Sequence, residues 1–378
     1  MTAPLAGIVV VSLEQAVSAP LATRHLADLG ATVIKVERPE GDFARHYDSV
    51  VNGNSAFFVW TNRGKQSVVV DLGSDDDAAL LDRLIAGADV FVHNVSPAAA
   101  ARRGLGATAL HARHPHLIAC EISGYGAGGP RSDDKAYDLA IQAEAGVFSV
   151  NGDGEQMGKA GFSVADISAG MYALTSILAA LVRRERTGEG AAIEVSMLES
   201  LAEWMSAPMY AAVYGDGQAP RTGRRHHAIA PYGTFALHDG STVLIAVQND
   251  TEWRAMAEQV LDDPSLGTRF ATNADRIAHV DEVEAIITAR LAALPASEAR
   301  ERLATARIAV AQVNDLAGVW RHDQLRARGR FGDVATEHGV IEMLDAPFTI
   351  SDMPDATAAI PAVGEHDPDV IARIVDRA

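Results

Sequence analysis

The sequence predicts an α/β protein, a Rossmann-like open parallel sheet covered by helices, followed by a second, smaller α+β domain. Three observations carry this. Short β-rich runs alternate with helical periodicity from Ile8 to Tyr214, the strand–helix–strand order of parallel βαβ units. The 378 residues exceed what one hydrophobic core usually serves. Composition changes at Gly215, where a polar, glycine-rich and basic stretch runs to His227. The division that follows is 1–214 for the large domain, 215–328 for the small one, and 329–378 for a segment returning to the large domain.

In chain order, Ile8–Leu13 reads as a strand, Pro20–Leu29 as a helix and Thr32–Val36 as a second strand. A dinucleotide fold would place Gly-x-Gly-x-x-Gly after the first strand. That turn is Glu14-Gln15-Ala16-Val17-Ser18 and has no glycine, so neither NAD nor FAD is expected. Strands follow at Val68–Leu72, Val90–Asn94, Leu117–Ile122 and Ala192–Val195, with helices at Asp77–Ala86, Thr108–Arg113, Tyr137–Phe148 and Met197–Tyr214. Beyond the linker, Thr234–Leu237 and Thr242–Val247 flank Asp239-Gly240 as a hairpin. Helices are expected at Glu252–Leu261, Val280–Ala293 and Ala296–Ala306, then strands at Val334–Glu337 and Val340–Met343, and a last helix at Asp367–Arg377.

The most informative stretch is Gly161–Gly190. Ser163 followed by Asp166 resembles a capping box, Ile167, Met171, Leu174, Leu178 and Leu181 recur at helical spacing as a core face, and Gly188 is a stop. Asp166 falls in the first turn, where backbone N–H groups favour an ionised carboxylate. Small residues surround it (Ala165, Ser168, Ala169, Gly170), leaving room for a carbonyl to approach a nucleophile. A helix cap explains the same residues more simply.

Composition narrows the partners. With 32 Lys+Arg against 50 Asp+Glu, the net charge is −18, which speaks against nucleic acid and anionic membranes. No apolar run reaches about 18 residues and no basic leader opens the chain, so a cytoplasmic protein is expected. The single Cys120 lies in an apolar run and excludes an intrachain disulfide. His111, His114 and His116 lack metal-site spacing, and no metal is expected. No Gly-x-Ser-x-Gly elbow signals a hydrolase. What remains is a set of basic or polar residues at strand ends. They are Arg38, the turn Asn62–Ser67, His93-Asn94-Val95, Arg102-Arg103 and Lys135-x-Tyr137-Asp138, and they accompany one well-placed carboxylate. This suits an anionic ligand with a reactive acyl group.

Taken in order, the stretches resemble the family III CoA-transferases, the group of formyl-CoA transferase, carnitine CoA-transferase and the α-methylacyl-CoA racemases. The resemblance rests on Leu29-Gly-Ala-x-Val-Ile-Lys-Val-Glu-Arg38, Asn62-x-x-Lys65, Asp71-Leu72, Asn94-x-x-Pro97, Ser123-Gly-Tyr-Gly126, Lys135-x-Tyr137, Asp166-x-x-x-Gly170, Arg186-Thr-Gly-x-Gly190 and Pro231-Tyr-Gly-x-Phe235. It implies an interlocked homodimer whose large domain binds coenzyme A as the acyl-CoA co-substrate. By position it implies an adenine-stacking role for Arg38, CoA-lining roles for Leu72, Asn94, Val95 and Arg102, and places for Lys135 and Tyr137 beside the thioester. It makes Asp166 the nucleophile, carrying an aspartyl-CoA thioester while CoA passes from an acyl-CoA to a free carboxylic acid. Val17 stands where the oxalate-using members have glutamine, and Gly223-Arg-Arg-His-His227 stands near the place of their glycine-rich loop. Val51-Asn-Gly-Asn-Ser55 and Arg224–Tyr232 are similar to the branch using short dicarboxylates such as succinate, glutarate, itaconate or mesaconate, with Arg224, Arg225 and His227 as candidates for the second carboxylate. Two alternatives stand beside transfer. One is a racemase, disfavoured because Ala136-Tyr137-Asp138 replaces the Gly-His-Asp of that branch. The other is an acyl-CoA-binding protein without catalysis.

Overall fold

The computed structural model describes residues 2–353 and 359–375; the end of the expected last helix, 376–377, lies outside them. The described chain forms two compact units. The first comprises Met1–Val147, Lys159–Ala207 and the tail from Ala327, and the second Phe148–Gly158 with Pro208–Arg326.

The first unit is built on a parallel sheet of β1 (Val9–Leu13), β2 (Thr32–Glu37), β3 (Lys65–Val69), β4 (Val90–His93), β5 (Ile118–Ser123) and β6 (Ala191–Ser196). Their spatial order is β3-β2-β1-β4-β5-β6, doubly wound about the β1/β4 boundary. The helices are α1 (Ser18–Asp28), α2 (Ala56–Asn62), α3 (Asp75–Ala86), α4 (Pro97–Arg102), α5 (Ala107–Arg113), α6 (Asp138–Glu144), α7 (Val164–Thr187) and α8 (Met197–Trp204). Strand side chains alternate between faces. Val10, Val92, Ile118 and Cys120 pack beneath α1 and α7, while Val9, Val11, Ile34 and Phe91 pack against α3 and α5. Burial pushes the Cys120 thiol up to about 12, which keeps it an inert core residue.

Two features depart from the sequence reading. The third strand begins at Lys65, not Val68, because the charged and polar side chains there face an internal ionic network instead of water. The buried face of α7 is as expected only in part: Leu174 and Leu181 are buried, but smaller residues line most of it. Ala165, Ala169, Ala173 and Ile177 are fully buried, whereas Met171 is 36% exposed. Small residues win the inner face because α1 packs too closely for large ones. A Cβ on Gly170 would lie 2.6 Å from the Ser18 carbonyl oxygen. Counted as a helix and not as an unbroken apolar run, the 24 residues of α7 are long and apolar enough to cross a membrane. More than half of that stretch is nevertheless buried in this core. Gly188 ends the helix at φ +75°, as its position suggests.

In the second unit, β7 (Tyr232–Ala236), β8 (Thr242–Ala246) and β9 (Ala309–Gln312) form an antiparallel sheet in the order β9-β8-β7. Trp253, Phe270, Ile287, Leu291 and Leu303 fill its core. The sequence reading missed β9. All four of its residues are exposed, so no inward apolar alternation marks it.

Candidate active site

A sheet whose strand order reverses opens a crevice at the carboxyl ends of its strands. A cleft of about 540 Å³ occupies that place here. It is lined by the turn Gln15–Ser18 after β1, Asn94–Pro97 after β4, Ile122–Gly124 after β5, Lys135–Leu139 leading into α6, and Ser163 and Asp166 at the start of α7. Phe43, Tyr47 and Phe57 complete it, with the Tyr47 ring set edge-on to Phe57 at 5.4 Å.

The two strand ends are tied to each other. Asn94 Oδ1 accepts the Gln15 N–H at 2.9 Å, and Asn94 Nδ2 donates to the Gln15 carbonyl at 2.8 Å and to Ser18 Oγ at 3.2 Å. Ala16, between them, has φ +62°, a left-handed conformation that costs a residue with a Cβ about 1 kcal/mol. Its N–H is held by Asp42 Oδ1 at 3.2 Å. Beneath the turn lies a wholly buried ionic network. Lys65 Nζ meets Glu14 Oε1 at 2.6 Å, the Pro20 carbonyl at 2.9 Å and Asn62 Oδ1 at 3.0 Å, and Lys35 Nζ meets Asp42 at 2.9 Å. Burial pushes Glu14 up, but Lys65 and Lys35 outweigh it and hold the carboxyl below its usual range. Burial brings Lys65 down to about 7. The turn Asn62–Ser67, one of the polar segments considered above for an anionic ligand, is therefore structural: Arg63 pairs with Asp28 at 2.8 Å and Lys65 is sealed from solvent.

Asp166 lies half-buried in the first turn of α7. Ser163 makes no side-chain cap. Asp138 does that work from α6, its Oδ1 accepting the N–H groups of Ala165 at 2.8 Å and Asp166 at 3.3 Å. The consequence for Asp166 reverses the expectation of a readily ionised group. Burial, then the Asp138 charge, raise its carboxyl from 3.8 to about 7, with the nearby polar groups of Ser18 opposing the rise. The carboxylate is thus poised near neutrality and poorly solvated, the state in which a carboxylate is a useful nucleophile.

The other candidates divide. Asn94, Val95, Lys135 and Tyr137 line this cleft. Arg38 and Leu72 line a smaller one of about 170 Å³ that shares Gln15, Phe43 and Val95 with it. Arg38 Nε donates to the Gly41 carbonyl at 2.9 Å, leaving its plane at the surface. Arg102 is exposed on α4 and lines neither cleft; its neighbour Arg103 donates to the Leu72 carbonyl at 2.7 Å. Val17 is 2% exposed and apolar, so the position of the absent glutamine presents no donor. In the second unit, Arg225 pairs with the exposed Asp281 at 2.8 Å and with Glu284 at 3.4 Å. Arg224 is exposed with no ion-pair partner among the described residues, and His227 stacks on His226.

The model of CoA-transferase family III matches residues 5–367. The chain belongs to that family. Members with this coverage include the succinate–glutarate CoA-transferase of Agrobacterium fabrum, 34% identical over 98% of this chain and 96% of the relative. The acetyl-CoA:oxalate CoA-transferase of Acetobacter aceti is 34% identical over 93% of this chain and 90% of its own length. A solved family protein from Brucella suis superposes with a TM-score of 0.87 at 30% identity, covering 99% of this chain and all of that one. The family makes the chain an enzyme of the CoA-transferase class, and the cleft and its carboxylate are read in that light.

Sequence reasoning did not single out Ser18, which lines the cleft, and placed Asp138 only among the polar residues at strand ends. The signal for both was spacing across the chain, Gly170 needing a close partner and Asp138 needing helix N–H groups, and neither is visible without the fold.

Proposed function

We propose that this protein moves CoA between an acyl-CoA thioester and a short dicarboxylic acid through an aspartyl-CoA thioester on Asp166. The observation that carries the reading is the half-buried Asp166 carboxyl at the sheet's switch point, lining one cleft with Ser18, Lys135 and Tyr137 and adjoining the cleft of Arg38 and Leu72. An Asp166 oxygen attacks the acyl carbonyl and expels CoA thiolate, leaving a mixed anhydride. The thiolate attacks Cγ of Asp166 and releases the donor acid. The acceptor carboxylate attacks the same Cγ and expels thiolate again, which then takes the acceptor's acyl group and frees Asp166. The flat Arg38 guanidinium is assigned to the adenine, Leu72, Asn94 and Val95 to the body of CoA, and Lys135 and Tyr137 to the region of the thioester.

The dicarboxylate preference is supported by the relatives' names, which cite succinate, glutarate and oxalate. Arg224, Arg225 and His227 keep their assignment to the second carboxylate, with Arg225 also pairing with Asp281 and Glu284. With succinyl-CoA as donor and a panel of acids, four- and five-carbon dicarboxylates are expected to outpace acetate, butyrate and long-chain acids, and Arg224→Ala to narrow the gap. A site that pairs a second charge penalises its absence by a few kcal/mol, on the order of 100-fold. Equal rates with monocarboxylates would refute the preference.

The assembly is proposed to be the interlocked homodimer. Met171, Tyr172 and Val182 of α7 are exposed, and the apolar helix Ser206–Tyr214 has no buried residue, leaving Tyr210 and Tyr214 at 55% and 85% exposure. Sedimentation equilibrium is expected to give twice the chain mass at micromolar concentration, and a monomer would end this part of the reading.

A further inference from the structure

We propose that Asp42 is a positioning residue that joins the two clefts, so that filling the Arg38 cleft with the nucleotide end of a CoA donor sets the turn Gln15–Ser18 in the shape that presents the thioester to Asp166. The inference rests on Asp166 as nucleophile and Arg38 as nucleotide anchor, and adds a mechanical link between them.

The link is a set of hydrogen bonds around one carboxylate. Asp42 is 4% exposed and lines the smaller cleft with Arg38, Gly41 and Leu72. Its Oδ1 accepts, at 3.2 Å, the N–H of Ala16, a residue that lines the larger cleft with Asp166. The same oxygen accepts the Ala44 N–H at 2.9 Å and so caps the short turn Phe43–His46. Phe43 of that turn, and Tyr47 just after it, are walls of the larger cleft. On its other side, Oδ2 meets Lys35 Nζ at 2.9 Å, and Lys35 reaches the Glu14 carbonyl at 3.4 Å. The Asp42 N–H is itself fixed by Glu37 Oε2 at 2.8 Å. One side chain from the nucleotide cleft therefore holds two walls of the cleft in which the acyl group reacts.

Two backbone features give this contact a mechanical consequence. Ala16 sits at φ +62°, a conformation an alanine leaves unless its neighbours hold it, and its N–H is the handle that Asp42 grips. Arg38 and Gly41 close a tight loop directly before Asp42. The Gly41 N–H donates to the Arg38 carbonyl at 2.8 Å, Arg38 Nε donates to the Gly41 carbonyl at 2.9 Å, and Gly41 takes φ +77°. A base stacked on the Arg38 guanidinium bears on this loop, and ordering the loop fixes the carboxylate that follows it. The constraint passes through Ala16 to Gln15, whose N–H and carbonyl are both bonded to Asn94 at the end of β4. Binding energy from a remote part of the substrate then appears as rate at the reacting centre as well as affinity.

The test compares two donors on the full-length protein by single-turnover kinetics and intact mass. Succinyl-CoA fills both clefts, whereas succinyl-pantetheine carries the same thioester without the nucleotide. Each is raised to saturation, and the limiting rate at which the protein gains the CoA or pantetheine mass is read. In the unmodified protein succinyl-CoA is expected to load about 100-fold faster, the scale of a small misplacement at a reacting centre. Asp42→Ala should collapse that ratio by slowing the CoA reaction alone. The pantetheine rate should stay as it was, and CoA should bind no more weakly, since its binding energy is no longer spent on ordering the turn. Asp42→Glu keeps a charge for Lys35 and shifts the oxygens by one methylene. It should lower the ratio in part, and it supplies the readout if the alanine variant does not fold. An unmodified protein that loads both donors equally fast would overturn the proposal, as would variants that keep the parent ratio or slow both donors alike. An unmodified protein that never acquires the CoA mass would instead refute Asp166 as nucleophile, and the proposal with it.

Discussion

Asp166→Ala is expected to lower CoA transfer about 10⁴-fold or more, the scale of losing a covalent nucleophile. CoA binding should persist, because Arg38, Leu72 and Val95 belong to a cleft that Asp166 does not line. The unmodified protein incubated with acyl-CoA should gain the mass of CoA, and hydroxylamine should convert Asp166 to its hydroxamate. The same carboxyl sets the acid limb of the pH profile. Attack requires the ionised form, and burial with Asp138 places its titration at about 7. Rate with saturating CoA donor should therefore climb as pH rises through neutrality. The titratable groups lining the cleft with Asp166 are Asp138 at the start of α6, Asp133, Asp134, Lys135 and Tyr137 before it, and Tyr47 from the segment after β2. Among these Asp138 is the charge that raises Asp166, so Asp138→Asn should move the limb to lower pH. Retained activity in Asp166→Ala, or a flat profile between pH 5 and 8, would contradict the assignment.

The largest stability effect is expected at Lys65. Lys65→Met removes one ammonium from a wholly buried network and leaves Glu14 facing Lys35 alone at 3.5 Å, with the Pro20 carbonyl and Asn62 oxygen losing a donor. Breaking one side of a buried ion pair costs about 3–5 kcal/mol, because the other charge stays desolvated. Adding Glu14→Gln should return part of the loss, since both charges are then gone. The denaturation midpoint in guanidinium reads both effects. A single variant as stable as the parent, or a double variant worse than either single, would show that the network is incidental. The network bears on function because Glu14 and Pro20 bracket the turn that carries Ser18.

Much of the molecule was legible in the chain itself. Alternating β-branched and helical runs determined an α/β sheet with a second α+β unit, since periods of two and of about 3.6 residues are properties of the local backbone. The ordered motifs determined the family, and Asp166 stood out through its place at a helix start among small residues. The tertiary structure decided which face of α7 is buried, because the closeness of α1 selects alanine and glycine where hydrophobicity alone favours Met171 and Leu178. It decided that Lys65 and Arg63 are internal, their cost met by Glu14 and Asp28 from distant strands and helices. It placed Arg225 beside Asp281 and Glu284. Above all it moved the titration of Asp166 upward, to about 7. Local sequence sees only the helix N-terminus, which favours the carboxylate, whereas desolvation and the charge of Asp138 arise from packing and outweigh it.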